Sequence, residues 1–228
     1  MKYFFSTPVI DAQILEIKAK IKLSMNGIVA DQLTNSGIIY KMNYGVSLPR
    51  IKEIAASYPK NHNLAQQLWA LSIRETMIMA TFLEQPSEFT VENANDWVTQ
   101  FNHIEIIEQT CMHLFCKLSF ANDLSCQWLQ SDNNWTQITG FILSARIYKQ
   151  LNSQELEFIL KKGIELSTTS NLHLYKAIGL CLSRLCRISK EAATFISKEI
   201  EHNLTTDTLS CSYILEEVKQ ELLFLDIL

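Results

Sequence analysis

From Pro8 onward the apolar positions recur at intervals of three and four residues, and no segment keeps the strict alternation of a half-buried strand. Ile10, Ile14, Ile17 and Ile21 form one face opposite Lys18, Lys20 and Lys22, and Ser6, Thr7 and Pro8 supply the start of that helix. A second helix is expected from Asn26 to Gly37. Gly45 gives a turn, Ser47 a cap and Pro49 a first-turn residue for a third. Asn61 can cap a helix carrying Leu64, Ala65, Leu68 and Trp69, and Ser72 with Glu75 reads as a capping box for the segment through Met77 and Ile78 to Leu83. Pro86 ends that pair. Thr90 opens a helix with Ala94, Trp97 and Val98, and Asn102 with Glu105 reads as the start of the next. Leu124, Trp128 and Leu129 share one further helix, and Asp132 is expected to cap the one bearing Trp135, Ile138, Phe141 and Ile142. Helices over 153–167, 170–188, 189–203 and 207–225 follow, marked by Ser153, Ser170, Ser189 and Asp207.

All prolines lie at or before Pro86, so nothing interrupts the later helical pattern. About a dozen helices with short linkers would overfill a four-helix bundle. The expected fold is all-α, an α-solenoid of stacked antiparallel helix pairs of HEAT/ARM-like type, forming one domain over residues 1–228. The segments share no exact repeated motif.

With 228 residues, 47% of them hydrophobic and 19% charged, the chain has the composition of a globular protein able to bury a substantial core. No apolar run reaches the ~18 to 20 residues of a membrane span, and the N-terminal aromatic patch is too short for a secretory signal. A cytoplasmic, monomeric protein without membrane contact is expected. Cys111, Cys116, Cys126, Cys181, Cys186 and Cys211 form no C-x-x-C pair and read as buried free thiols. The net charge of −4 gives no global attraction to nucleic acid, so DNA binding would require segregated basic residues. Arg146, Lys149, Lys161, Lys162, Lys176, Arg184 and Arg187 are the set that could line such a surface or equally form solvated helix faces.

The stretch from Asn102 to His113 carries the candidate chemistry. Glu105 and Glu108, one turn apart among Ile104, Ile106 and Ile107, fall on one helix face. One reading gives Glu105 to the helix start and Glu108 to solvent; the other makes them functional carboxylates. His113 is either an acid–base group or an interior histidine, and Trp69, Trp97, Trp128 and Trp135 are either stacking platforms or core.

The stretches Y-G-V-S-L-P-R-I-K-E-I-A, residues 44–55, and L-A-Q-Q-L-W-A-L-S-I-R-E-T-M-I-M-A, residues 64–80, resemble the opening of the AlkD-like DNA alkylation repair proteins, which are HEAT-like repeat DNA glycosylases. The resemblance runs from about Met42 to Arg184. Residues 102–113 are similar to that family's Trp-Asp-x-x-Asp segment with a histidine five residues beyond the second acid. The likeness sets Ile104 at the tryptophan, Glu105 at the first acid and Glu108 at the catalytic aspartate. N-N-W-T-Q-I-T-G, residues 133–140, resembles the Trp-x-x-Arg segment, with Trp135 kept and Ile138 at the DNA-contacting arginine. Y-K-A-I-G-L-C-L, residues 175–182, is similar to the Lys-Ala-Ile-Gly-Trp segment, with Lys176 and Gly179 kept and Leu180 at the second tryptophan.

The resemblance implies excision of cationic N-alkylated purines from duplex DNA without metal or cofactor. A carboxylate stabilises the sugar cation, aromatic faces hold the deoxyribose, and an arginine grips phosphate. Replacing two tryptophans by Ile104 and Leu180 removes ~0.5 to 2 kcal/mol each of cation–π contact, and losing the arginine removes roughly 1.5 to 3 kcal/mol. The expected function is therefore DNA alkylation repair with weak or lost catalysis, Glu108 being the catalytic candidate and Trp135 and Lys176 the DNA contacts. The alternatives are a non-catalytic DNA-binding relative and a helical scaffold that binds a protein partner.

Overall fold

The computed structural model describes residues 7–227, so Ser6 and the aromatic patch at 3–5 lie outside the described residues. Within them the chain is helical: thirteen α-helices, two short 3₁₀ turns and no strand, with one isolated bridge between Met42 and Ile73. Among the described residues no helix is long and apolar enough to cross a membrane. The chain packs as two compact units, Met1–Ala94 with His103–Leu118, and Asn95–Asn102 with Ser119–Leu228.

In the first unit, α1 is Pro8–Leu23, α2 Gly27–Asn35, α3 Leu48–Ala55, α4 His62–Ala70, α5 Arg74–Leu83 and α7 Ile104–His113, while α6, Val91–Val98, straddles the division. The expected caps form on Thr7, Asn26 and Asn61, whose side chains accept from Ile10, Val29 and Leu64 N–H. Helix α5 lies between α3 and α7 and packs against α4, and α1 covers α3 and α4. Its apolar side chains Ile78, Met79, Ala80 and Leu83 are therefore all buried.

In the second unit, α8 is Ala121–Trp128, α9 Asn134–Ile147, α10 Ser153–Glu165, α11 Leu172–Leu185, α12 Lys190–Asn203 and α13 Leu209–Phe224. Helices α9, α11 and α13 lie side by side, with α8, α10 and α12 packed against them as a second layer. Three expected caps shift by one residue: Asn133, Asn152 and Asn171 cap where Asp132, Ser153 and Ser170 were expected. Thr208 likewise replaces Asp207, while Ser189 caps as expected. Asn152 forms a full capping box with Glu155. The caps of α9 to α13 thus fall at 133, 152, 171, 189 and 208, intervals of 19, 19, 18 and 19 residues. A repeat of two helices is present although no sequence motif recurs.

Gly45 is the turn the sequence requires. Its φ is +68°, and a Cβ there would lie 2.0 Å from the Asn26 carbonyl oxygen and 2.7 Å from the Ala30 nitrogen. The chain returns against the start of α2 at this point, with the Asn26 N–H donating to the Tyr44 carbonyl. Gly45→Ala is expected to cost about 2 to 4 kcal/mol, because both the dihedral and the backbone contact must yield. Urea unfolding should show a lower midpoint with an unchanged slope; an unchanged midpoint would mean that the turn is free to move.

Candidate functional site

Helix α7 begins one residue later than its sequence pattern predicts, and by a different device. Its cap residue is His103, in extended backbone with no side-chain cap bond, so the expected capping box of Asn102 and Glu105 does not form. Glu105 turns instead toward Arg74, the first residue of α5, whose side chain is almost wholly buried. The guanidinium grips that carboxylate with two nitrogens, Nη2 to Oε1 at 2.6 Å and Nε to Oε2 at 2.9 Å, while the Tyr40 hydroxyl donates to Oε2 at 2.9 Å. Burial, and then the Glu105 carboxylate beside it, push the Tyr40 hydroxyl far above the ordinary phenol range, so Tyr40 acts only as a donor.

The capping box expected for Ser72 and Glu75 is absent for the same reason. Ser72 takes a left-handed φ of 56°, Ile73 is the cap residue, and Glu75 is wholly buried. Its carboxylate accepts from the Tyr44 and Val46 N–H groups at 3.2 and 3.1 Å and from Arg74 Nη1 at 3.2 Å. Arg74 Nη1 also donates to the Val46 carbonyl at 2.8 Å. One cation and two carboxylates therefore tie the 40–46 loop, α5 and α7 together. Removing one member of such a buried set leaves an uncompensated charge, typically at about 3 to 5 kcal/mol.

Glu108 lies one turn beyond Glu105 and is exposed, without a hydrogen bond or ion pair to the described residues. Ile104 is half-buried, and His113 stacks on Phe82 with ring centroids 4.3 Å apart. His103 is 4% exposed and packs edge-on against Tyr40 at 4.2 Å, its Nδ1 buried without a hydrogen-bond partner.

In the second unit the family-like positions separate by burial. Trp135 is half-buried at the start of α9, with its ring 5.5 Å from that of His173. Leu180 is half-buried and Lys176 exposed on α11. Ile138, expected on a groove wall, is instead 0% exposed, because α9 is packed by both α8 and α11 and buries ten of its residues. Trp69, Trp97 and Trp128 are core, and Trp128 Nε1 donates to Asn95 at 2.8 Å. Arg146, Lys149, Lys161 and Lys176 are exposed, whereas Arg187 is engaged by Glu221. Cys116 and Cys126 are half-buried, the other four thiols are buried, and none of the six is in a disulfide.

Sequence reading missed Tyr40, Arg74, Glu75 and His103 as one cluster, and missed Glu84. Glu84 is wholly buried and accepts from Gln66 Nε2 and its neighbour Gln85 N–H, both at 2.9 Å, with His62 Nδ1 2.7 Å away. The signal available was the Arg74–Glu75 pair within an apolar stretch, where charges are buried only when paired. Among the described residues no group of three or more His, Cys, Asp or Glu side chains could hold a metal ion.

Two outcomes follow from these burials. Burial, partly opposed by Glu105, pulls His103 from its ordinary 6.5 down to about 4. The unfolded chain then binds a proton that the folded one refuses, so the contribution of neutral His103 is complete above pH 6.5 and is lost as pH falls toward 4, by up to about 3 kcal/mol. His103→Phe should flatten the wild-type stability profile across that window in urea titrations, and parallel profiles would contradict the assignment. Ile138→Arg, which would recreate the family's arginine, should destabilise the fold by about 3 kcal/mol or more, read as a fall in thermal midpoint; an unshifted midpoint would place that side chain in solvent.

No curated protein matches the chain in sequence. A solved structure described as a new family of proteins related to the HEAT-like repeat DNA glycosylases, with affinity for branched DNA structures, superposes at a TM-score of 0.77. It covers 91% of this chain and 92% of its own at 13% identity, a likeness of fold. The family model for DNA alkylation repair enzymes matches residues 19–213, spanning both units and including Glu105, Glu108, Trp135 and Lys176. The chain belongs to the DNA alkylation repair enzyme family.

Proposed function

We propose that this protein is a DNA-binding member of the alkylation repair family with weak or absent base excision, acting as a cytoplasmic monomer. The family match crosses both units, which supports reading residues 19–213 as parts of one DNA-engaging domain. The observation that carries the reading is the contrast between the two acids of α7: Glu105 is consumed by Arg74 and Tyr40, whereas Glu108, at the position that resembles the catalytic aspartate, is exposed and unengaged. A carboxylate so presented can face a developing sugar cation without a metal or a covalent bond. Its aromatic companions are replaced by Ile104 and Leu180, and Ile138 is core, so the cradle that would raise the rate is lacking.

Phosphate contact from exposed lysines such as Lys176 would provide affinity with little sequence preference. The affinity for branched DNA described for the structural relative makes a four-way junction the natural comparison substrate. The competing reading, a scaffold for a protein partner, draws support from charge: acidic residues balance basic ones in the first unit, and the second carries the excess of four acids.

Anisotropy titrations with duplex and junction DNA should show binding that weakens as salt rises, and Lys176→Ala should lower affinity about 2- to 5-fold and reduce the salt slope by about 1. Absence of binding at low salt would favour the scaffold. On alkylated DNA, release of methylated purine by wild type should be slow, and Glu108→Gln should reduce any measurable rate by about 10-fold or more while Glu105→Gln acts through stability. Equal activity of wild type and Glu108→Gln would displace Glu108 from this role.

A further inference from the structure

Helices α10 and α12 leave a groove between them on the layer opposite α9, α11 and α13. Two hollows of about 310 and 340 Å³ meet at Phe195 and Glu157, which line both. The groove follows from helical spacing: Leu156, Leu160 and Ile164 on α10 recur every four residues, as do Glu191, Phe195, Glu199 and Asn203 on α12. Leu156 and Leu160 form the floor, and Phe195, 40% exposed, projects between the hollows. Along α10 the lined stretch from Ser153 to Ile164 is about 16 Å long, three turns of helix.

The rim has a sign. Glu157, Glu191 and Glu199 stand along it against Lys161 among the described lining residues, and the unit around it carries the excess of acidic side chains. Of the three, Glu199 accepts a hydrogen bond from Asn203 within its own helix, and Glu157 and Glu191 are exposed. A single projecting aromatic between two apolar hollows is the shape of a surface that anchors side chains spaced one helical turn apart. Phosphate would be repelled from this rim, so the groove is not a second nucleic-acid surface.

We infer that the α10–α12 groove is a docking site for a basic amphipathic helix of a partner protein, about three turns long, whose apolar residues at i, i+3 or i+4, and i+7 straddle Phe195 and whose lysines or arginines meet Glu157, Glu191 and Glu199. The inference does not rest on the DNA-binding reading, because it uses neither α7 nor the exposed lysines assigned to phosphate.

The test is fluorescence anisotropy of the full chain with a labelled sixteen-residue model peptide of alanine, leucine and lysine, its leucines spaced to form one helical face. Two controls accompany it, a scrambled peptide of the same composition and an analogue with glutamate for lysine. The helical basic peptide should bind, Phe195→Ala should weaken it at least fivefold, and Glu157→Lys with Glu199→Lys at least tenfold, with circular dichroism and DNA affinity unchanged. Equal binding of the scrambled peptide would reduce the effect to general charge attraction and overturn the site. Absence of peptide binding, or binding indifferent to Phe195, would also overturn it. A concentration-dependent dimer abolished by Phe195→Ala would assign the groove to a second copy instead. Amide shifts on adding peptide that cluster outside α10 and α12 would count against it too.

Discussion

A guanidinium held between two carboxylates, out of water, dictates the architecture of the first unit. Arg74 cannot lose its proton there: burial opposes the charge, and Glu105 and Glu75 more than offset that, holding its pKa above the ordinary value. The acids outnumber the cation, and the remaining charge is met by the Tyr40 hydroxyl and by the N–H groups of Tyr44 and Val46. A buried ion cluster of this kind is weak evidence of net stability, since an apolar replacement of equal shape can do as well. Its value is positional. The loop, the start of α5 and the start of α7 have one mutual arrangement in which all these groups are satisfied, and every alternative leaves an ion unpaired in a dry environment.

That arrangement separates two acids that look equivalent on paper. Glu105 and Glu108 are three residues apart on one helix, yet one is committed to a buried ion pair and the other is exposed. The commitment of Glu105 supports the freedom of Glu108: the helix that presents Glu108 starts from an anchored residue, so the exposed carboxylate projects from a fixed backbone rather than a frayed terminus. The positions that resemble the family's two tryptophans hold the aliphatic Ile104 and Leu180. Aliphatic side chains at those positions, with the buried Ile138 at the arginine's, would give up most of the transition-state stabilisation that aromatic faces and a guanidinium supply.

Helix existence was legible throughout, because a 3.6-residue apolar period survives any particular tertiary contact. Boundaries were less so. Asn133, Asn152 and Asn171 each took the cap from an adjacent candidate, and among Asn, Asp and Ser, near-equal capping residues, only packing decides which stands at the junction. Ser72 with Glu75 and Asn102 with Glu105 carried the spacing of capping boxes, but a buried cation 31 residues away from Glu105 outcompeted the local bond. Local signatures report what a side chain can do nearby, and a long-range ion pair changes which option is taken. Ile138 shows the same limit: a resemblance aligns positions, whereas the flanking helices α8 and α11 decide whether a position faces water.

The nearly constant interval between the caps of α9 to α13 bears on how such a chain can change its length. Each interval ends in an interchangeable polar side chain that stops one connection and starts the next helix, so a segment cut at alternate caps is a closed unit with matching ends. Duplicating or deleting such a segment would preserve the alternation of layers and leave both new junctions already furnished with a cap. Shifts by a single interval would exchange the layers and turn buried stripes outward. Growth of this architecture is therefore quantised in helix pairs, and its sequence can drift until no motif repeats so long as the punctuation is kept.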